Sequence, residues 1–251
     1  MCIRDSSDAG QGANYWDVGD TNAITINGTV GATSFSNLSI NVFILGFNHN
    51  ASREGSNRIH FKIGKIGGTQ VALVDSQYGS GVSSSGYFSM NTSNTNTGGW
   101  ANSYHRRTLL GNTGTPTSPP SNSLLAALPA DLRAVMKAVT KYSDNTGGGS
   151  NTASYVTSTT DYLFELAEFE YHGARTYANS AEQNYQQQYA YYQAGNSKIH
   201  YKHNATGTAA YVWCRSVRSS NSGYFCLVYA DGSASINTAT ISWALAPCFF
   251  V

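Results

Sequence analysis

Apolar residues alternate with polar ones in the first quarter of the chain. Ile24, Ile26 and Val30 share one side of positions 23–30, the period of a half-buried strand, and Asn27-Gly28 interrupts it with a turn or bulge signal. Positions 38–47 are more continuously apolar, which predicts a strand covered on both faces. Positions 59–66 alternate Ile59, Phe61 and Ile63 with His60, Lys62 and Gly64, and Gly67-Gly68 joins them to 70–75 as a hairpin. The middle is loop-rich. Positions 83–99 are mostly Ser, Asn, Thr and Gly, broken by Tyr87-Phe88 and Met90. Positions 100–110 predict a short helix, and Pro116, Pro119 and Pro120 make 111–123 an exposed excursion. Leu128, Leu132 and Val135 give 124–136 helical spacing, with Pro129 opening a new first turn; 138–142 reads as a strand and 144–150 as a glycine-rich loop.

Further on, Thr160 is placed to cap a helix over 161–167 that buries Leu163, Phe164 and Leu166. Ser180 caps the longest helical pattern, 181–194, which stops at Gly195. Its stripe of Ala181, Tyr185, Tyr189 and Tyr192 reads as core packing. Short strands return at 210–213, 224–229 and 247–251, and the apolar ending Phe249-Phe250-Val251 predicts a last residue held in a sheet. The order of elements gives an α+β fold: one domain over 15–251, with a mixed or antiparallel sheet, two to three helices and a long loop-rich C-terminal region.

Composition narrows the function classes. Of 251 residues, only 12% are charged, about half the usual share, so solubility rests on Ser, Thr, Asn, Gln, 25 Gly and 17 Tyr. A net charge of +1 lacks the clustered Lys and Arg of a nucleic-acid footprint. No apolar run approaches the roughly 20 residues of a membrane span, so no membrane insertion is expected. The lead, residues 1–14, is expected to be disordered and outside the fold. Its opening Met1-Cys2-Ile3-Arg4-Asp5-Ser6 reads as the translation of a sequencing-library transposon end, the mark of a metagenomic fragment. Without Cys2, three cysteines remain, Cys214, Cys226 and Cys248. Their spacing fits no zinc template, and buried free thiols are the expected state over one disulfide with a spare thiol.

Candidate chemistry is sparse. His200 and His203 stand three apart without a carboxylate or cysteine at ligand spacing and beside Lys202, so a solvated turn is expected there. Glu165, Glu168 and Glu170 are close enough to suggest a glycosidase pair, but helix-end geometry predicts one in solvent and one bonded to backbone or to an arginine. Asp17, Asp20 and Asn22 lack the length of a calcium loop, and Gly147-Gly148-Gly149-Ser150 has no lysine for a phosphate. Arg106-Arg107 beside His105 suits a helix cap or a partner glutamate. No catalytic residue, cofactor or metal is assigned.

A set of short pieces in a fixed order resembles a bacterial and phage family of domains of unknown function with a C-type-lectin-like fold. They are Trp16-Asp17-Val18-Gly19-Asp20, Phe43-Ile44-Leu45-Gly46-Phe47 and Gly98-Gly99-Trp100 with Ser103 and Arg106. After them come Leu128-Pro129-Ala130-Asp131-Leu132, Thr160-Asp161-Tyr162-Leu163-Phe164 with Glu168 and Glu170, Trp213-Cys214-Arg215-Ser216, and Ala246-Pro247-Cys248-Phe249-Phe250-Val251. The sequence departs from that pattern at Cys214, where a bulky aliphatic or acidic residue is usual, at Val217, where Pro is common, and at Trp243-Ala244-Leu245. Trp213 is expected to be a core aromatic and Arg215 a buried cation, and the resemblance implies that N- and C-terminal strands pair. It also implies a ligand-binding patch in the C-terminal loops. Arg218, Ser219, Asn221, Tyr224, Tyr229, Asp231, Ser235 and Asn237 fit such a patch, because tyrosine supplies contact area at low entropy cost and Ser and Asn adaptable hydrogen bonds. The expected function is non-catalytic recognition, of adhesion or receptor-binding type, of a host-surface glycan or protein by a phage tail or bacterial surface protein. A fibre-decorating or oligomerisation module is the alternative. A formylglycine-generating-enzyme-like use of Cys226 and Cys248 is a third.

Overall fold

In the computed structural model, which describes residues 3–251, the chain starts with α1 (Ile3–Asp8), a turn and a half of helix. This part of the lead was expected to lie outside the fold, and it is instead packed on it. Ser7 is buried, and its hydroxyl donates to the Val251 carbonyl at 2.6 Å, while Asp8 pairs with Lys137 at 2.5 Å. Met1 and Cys2 lie outside the described residues. β1 (Thr21–Val30) and β2 (Thr33–Phe47) then form an antiparallel hairpin whose register slips once, between Ile26 and Gly28, at the predicted interruption. The hairpin turns at Gly31, where φ is 59° and a Cβ would stand 2.3 Å from the Gly86 carbonyl oxygen, so no other residue fits.

After a helical turn, α2 (Ala51–Glu54), come β3 (Ile59–Ile66) and β4 (Thr69–Ala72), joined through Gly67-Gly68 as expected. The prolines and glycines of the middle keep its helices to one or two turns: α3 (Gly99–Asn102), a π-turn over His105–Leu109, α4 (Leu124–Ala127) and α5 (Ala130–Val135). The last two are split at Pro129, as the sequence predicts. β5 (Val139–Asp144) and β6 (Val156–Asp161) make a separate hairpin. α6 (Glu168–His172) and α7 (Ala190–Gln193) precede β7 (His200–Lys202), β8 (Ala205–Ala210), β9 (Val212–Val217), β10 (Tyr224–Val228), β11 (Ala234–Thr238) and β12 (Cys248–Phe250).

The main sheet runs β1-β2-β3-β4-β7-β8, with β4 and β7 parallel and the other pairs antiparallel; β12 joins the far edge of β3 beyond β4. A three-stranded sheet, β11-β10-β9, carries the C-terminal loops. The mixed α+β architecture therefore matches the sequence reading. So does the closing strand: Val251 is 2% exposed and exchanges both backbone hydrogen bonds with Ile59. Among the described residues no helix is long and apolar enough to cross a membrane.

Two predicted helices are absent. Residues 161–167 are extended instead: Asp161 ends β6, Phe164 exchanges both backbone hydrogen bonds with Cys248 at 3.1 and 2.8 Å, and the helix starts later, at Glu168. The 181–194 pattern breaks into a 3₁₀ turn, Ser180–Asn184, and α7, and its cap is Asn179 instead of Ser180. Tertiary bonds hold the intervening stretch open. Asn50 donates to the Tyr185 carbonyl at 2.8 Å, Gln186 to Tyr142 at 2.8 Å and Gln188 to Tyr171 at 3.0 Å, which outweighs the modest helix propensity of Tyr, Gln and Asn. Tyr189 and Tyr192 of the stripe are nevertheless core residues.

Candidate recognition surface

The frame under the C-terminal loops is a layer of buried charge. Arg215, on β9, has no solvent exposure; its guanidinium donates to both oxygens of Glu170, to the Glu165 carbonyl at 3.0 Å and to the Ser143 hydroxyl at 2.8 Å. Lys141, on β5, bridges Glu170 and Glu54 at 2.7 Å each. Two cations and two carboxylates thus neutralise one another across α2, β5, α6 and β9. Burial works to raise Glu170, but the Arg215 and Lys141 charges outweigh it and hold this carboxyl well below the usual range. Glu54, with Lys141 alone, is pushed up by burial to about 7. Glu182 also rises to about 7 through burial; it accepts from Ser216 at 2.6 Å and from the Asp144 amide at 2.9 Å.

These contacts correct the expectation that one of Glu165, Glu168 and Glu170 is solvated. All three are buried: Glu165 beside His105 at 3.1 Å, Glu168 accepting from the Tyr177 and Ala178 amides, and Glu170 on Arg215. His200 is likewise no part of a solvated turn. It sits unexposed in β7, where burial drives it well below its ordinary value, while His203 occupies the turn and accepts from the Val74 amide at 3.2 Å. Arg106 does find an acidic partner, Asp161 at 2.6 Å, although not a glutamate. The polar members of β3 are buried as well, with Lys62 donating to the Tyr171 hydroxyl at 2.6 Å and to the Ala246 carbonyl at 2.7 Å.

Little reactive chemistry follows from this layer. His49, Glu54 and Glu170 converge to within 4.8 Å, the spacing of a cation site. Lys141 already donates to both carboxylates there, and a divalent ion would meet its ammonium at contact distance. Cys214, Cys226 and Cys248 are free and buried, as expected, and burial pushes the Cys248 thiol up to about 12, far from a reactive thiolate. Trp213 and Arg215 are the expected core aromatic and buried cation; the Trp213 indole donates to the Phe88 carbonyl at 3.0 Å.

Where β9 ends the character changes. Arg218, Ser219, Asn221 and Tyr224 form a tight turn between β9 and β10, with the Arg218 guanidinium 5.6 Å from the Tyr224 ring centre. The turn is clamped from beneath by Asn96. The amide of this unexposed residue donates to the Ser222 carbonyl at 2.6 Å, and its side chain to the Asn221 and Tyr224 carbonyls at 2.8 and 2.9 Å; its Oδ1 accepts from Gly148 at 2.8 Å. The glycine run does its work here: at Gly147 a Cβ would fall 2.0 Å from the Asn96 carbonyl oxygen. The other side of the 91–97 loop walls a polar cleft of about 400 Å³, lined among others by Asn91, Thr95, Asn102, Tyr104, Arg107 and Thr113. Arg107 is exposed and has no acidic partner among the described residues.

The remaining predicted residues lie elsewhere on the same three-stranded sheet. Tyr229 and Asp231 occupy the opposite end, in the β10–β11 turn, where Tyr229 is 41% exposed and stacks edge-on to Tyr211 at 4.5 Å. Ser235 and Asn237 sit on β11, opposite Leu227 and Phe225, half-buried along the sheet edge. The eight residues therefore make two ends and a rim, not one patch. Asn96, Asn91, Tyr104 and Arg107 were missed, since within a run of Asn, Ser and Thr no spacing marks which amide will be buried as a clamp.

A family model described as Domain of unknown function (DUF6273) matches residues 71–251. No curated protein and no solved structure matches the chain. The matched span holds Lys141, Glu170, Arg215, the Asn96 clamp and the whole loop surface, and leaves β1, β2 and β3 outside it.

Proposed function

The chain belongs to the DUF6273 family of domains of unknown function, and from that premise we propose that it is a non-catalytic recognition domain of a phage tail or bacterial surface protein. On this reading a C-type-lectin-like frame presents the 218–224 turn and the neighbouring polar cleft to a host-surface glycan or protein. One observation carries it. The backbone of the turn is fixed through a buried asparagine, while Arg218 and Asn221 stay partly open beside a cleft lined with hydroxyls, amides and one unpaired guanidinium. Fixing the backbone before binding lowers the entropy lost on association, and exposed side chains on a fixed loop can vary without unsettling the fold. The hydroxyl- and amide-rich lining, with its single guanidinium, suits a ligand that offers many hydrogen-bonding groups and little apolar surface.

The test is binding of the domain to arrayed host-surface glycans and surface proteins, comparing the parent with Arg218→Ala and with Arg107→Ala. Loss of a bound target in these variants, at an unchanged melting temperature, supports the placement. A target held equally well by all three proteins rejects it.

A further inference from the structure

β1 ends the main sheet, and its outer edge is open over Thr21–Ile26. Edge strands are ordinarily blunted by lysine, proline, a bulge or a covering element. In β1 the protection begins only at the bulge between Ile26 and Gly28, beyond which Ala127 of α4 lies against Gly28. Thr21–Ile26 carries no charge and no proline. The Ile44 amide donates to the Asp20 carbonyl at 3.0 Å, which sets the alternation of the ladder. Carried along the unbroken register to Ile26, it turns the amides and carbonyls of Ala23 and Thr25 away from β2.

Those outward groups border a cleft of about 570 Å³, which touches the four consecutive residues from Asn22 to Thr25 and so follows the strand edge. Its floor is one face of the sheet, Val42, Phe61 and Phe249, with Phe61 and Phe249 stacked at 5.3 Å, and its far wall is α5 with Leu132 and Val135. Asp131, at the start of α5, is the only charged side chain among the described residues of the lining; it is exposed and has no cationic partner among them. A free strand edge beside an apolar trough, walled by a helix, is the geometry that accepts an added strand: the ladder supplies affinity and alternate side chains fill the trough.

We propose that this groove binds an extended peptide of a partner protein as an extra strand on β1, with apolar residues at alternate positions and a basic residue facing Asp131. A second copy of the chain fits less well, because no Lys or Arg lies between Thr21 and Val30 to meet Asp131. This groove is separate from the loop surface, and most of its strands precede the family span.

The experiment is selection of short random peptides displayed on yeast against the full chain, followed by titration of a selected, fluorescently labelled peptide. Ala23→Pro removes an outward amide without touching the β1–β2 ladder. It is expected to weaken binding about tenfold or more at an unchanged melting temperature, as the loss of one hydrogen bond in a registered ladder implies. Asp131→Asn is expected to weaken peptides carrying a lysine or arginine several-fold and to leave their neutral analogues unchanged. Should Ala23→Pro fail to fold, hydrogen exchange decides: bound peptide slows the Ala23 and Thr25 amides and leaves Ile24 unaltered. The proposal is overturned if no peptide is enriched, or if the selected peptides ignore Ala23→Pro and leave those two amides unprotected. It is equally overturned, in favour of self-pairing, if sedimentation shows a dimer that Ala23→Pro dissolves.

Discussion

Arg215 and Arg218 stand three residues apart, one inside β9 and one just past its end, and they share nothing but their chemistry. Arg215 is unexposed and spends its donors on Glu170, Ser143 and two backbone carbonyls. Arg218 is half-buried, reaches only the Ser220 hydroxyl at 3.0 Å and lies over the Tyr224 ring. The first is held by so many partners that removing it alone costs the fold; the second is held at its backbone and left free at its head. The contrast teaches how a chain with few charges divides them. Most of its carboxylates near β9 are buried to build a stiff, neutralised layer, and the surface above that layer is left to neutral side chains and occasional unpaired arginines.

The sharpest way to break the comparison is at Arg215. Arg215→Ala strands the Glu170 carboxylate with Lys141 alone, a buried charge without its main partner, and is expected to cost about 3–5 kcal/mol in denaturant unfolding. The double variant Arg215→Met, Glu170→Met leaves the Lys141–Glu54 pair balanced, and is expected to recover most of that loss. A double variant as unstable as Arg215→Ala would show that the bonds to Ser143 and the carbonyls, not charge balance, are what hold the layer.

A smaller effect depends on pH. Burial pushes Glu182 up to about 7 from an ordinary 4.5, so the unfolded chain gives up this proton near 4.5 and the folded one keeps it until about 7. Stability from Glu182 is therefore full below pH 4.5 and falls between 4.5 and 7; Glu54, also near 7, acts in the same sense. The histidines act oppositely. Burial lowers His49 to about 3 and His172 to about 4, and holds His60 and His200 well below 6.5, so below that pH the unfolded chain takes up protons that the folded chain refuses. Stability is expected to climb from pH 4 to about 6.5 and to slip slightly above it. Glu182→Gln removes one falling contribution, and should stabilise the protein by about 2–3 kcal/mol at pH 7.5 and hardly at pH 4. Equal effects at the two values would mean that folding does not raise the Glu182 carboxyl above its ordinary range.

Much of the frame was legible because strand periods are local. The alternation of Ile24 and Ile26, the glycine pair at 67–68 and the apolar ending all appear where the sequence puts them. The helix over 181–194 was not, because its competitors, Asn50, Tyr142 and Tyr171, come from distant segments and are invisible to a local pattern. Burial of Glu165, Glu168 and Glu170 failed for the same reason: a carboxylate's fate depends on which arginine, hydroxyl or amide the topology brings to it. Of the proposed surface, the turn residues were legible as polar and tyrosine-bearing, but their division between two ends of the sheet depends on the register of β10 with β9 and β11.

The finest division of the comparison lies within the turn itself, between its clamp and its open side chains. Asn96→Ala removes donors from the Asn221 and Tyr224 carbonyls and an acceptor from the Gly148 amide, all in part-buried bonds. The expected cost is about 1–3 kcal/mol, together with faster amide exchange across 218–224. Arg218→Ala takes away one bond to a serine hydroxyl and a partly exposed contact with a ring, and should change stability by no more than about 0.5 kcal/mol. Thermal melts of the two variants, with exchange measured on the turn, separate clamp from display. If Arg218→Ala destabilises as much as Asn96→Ala, the arginine is part of the frame, and the boundary between stiff layer and open surface must be moved outward along β9.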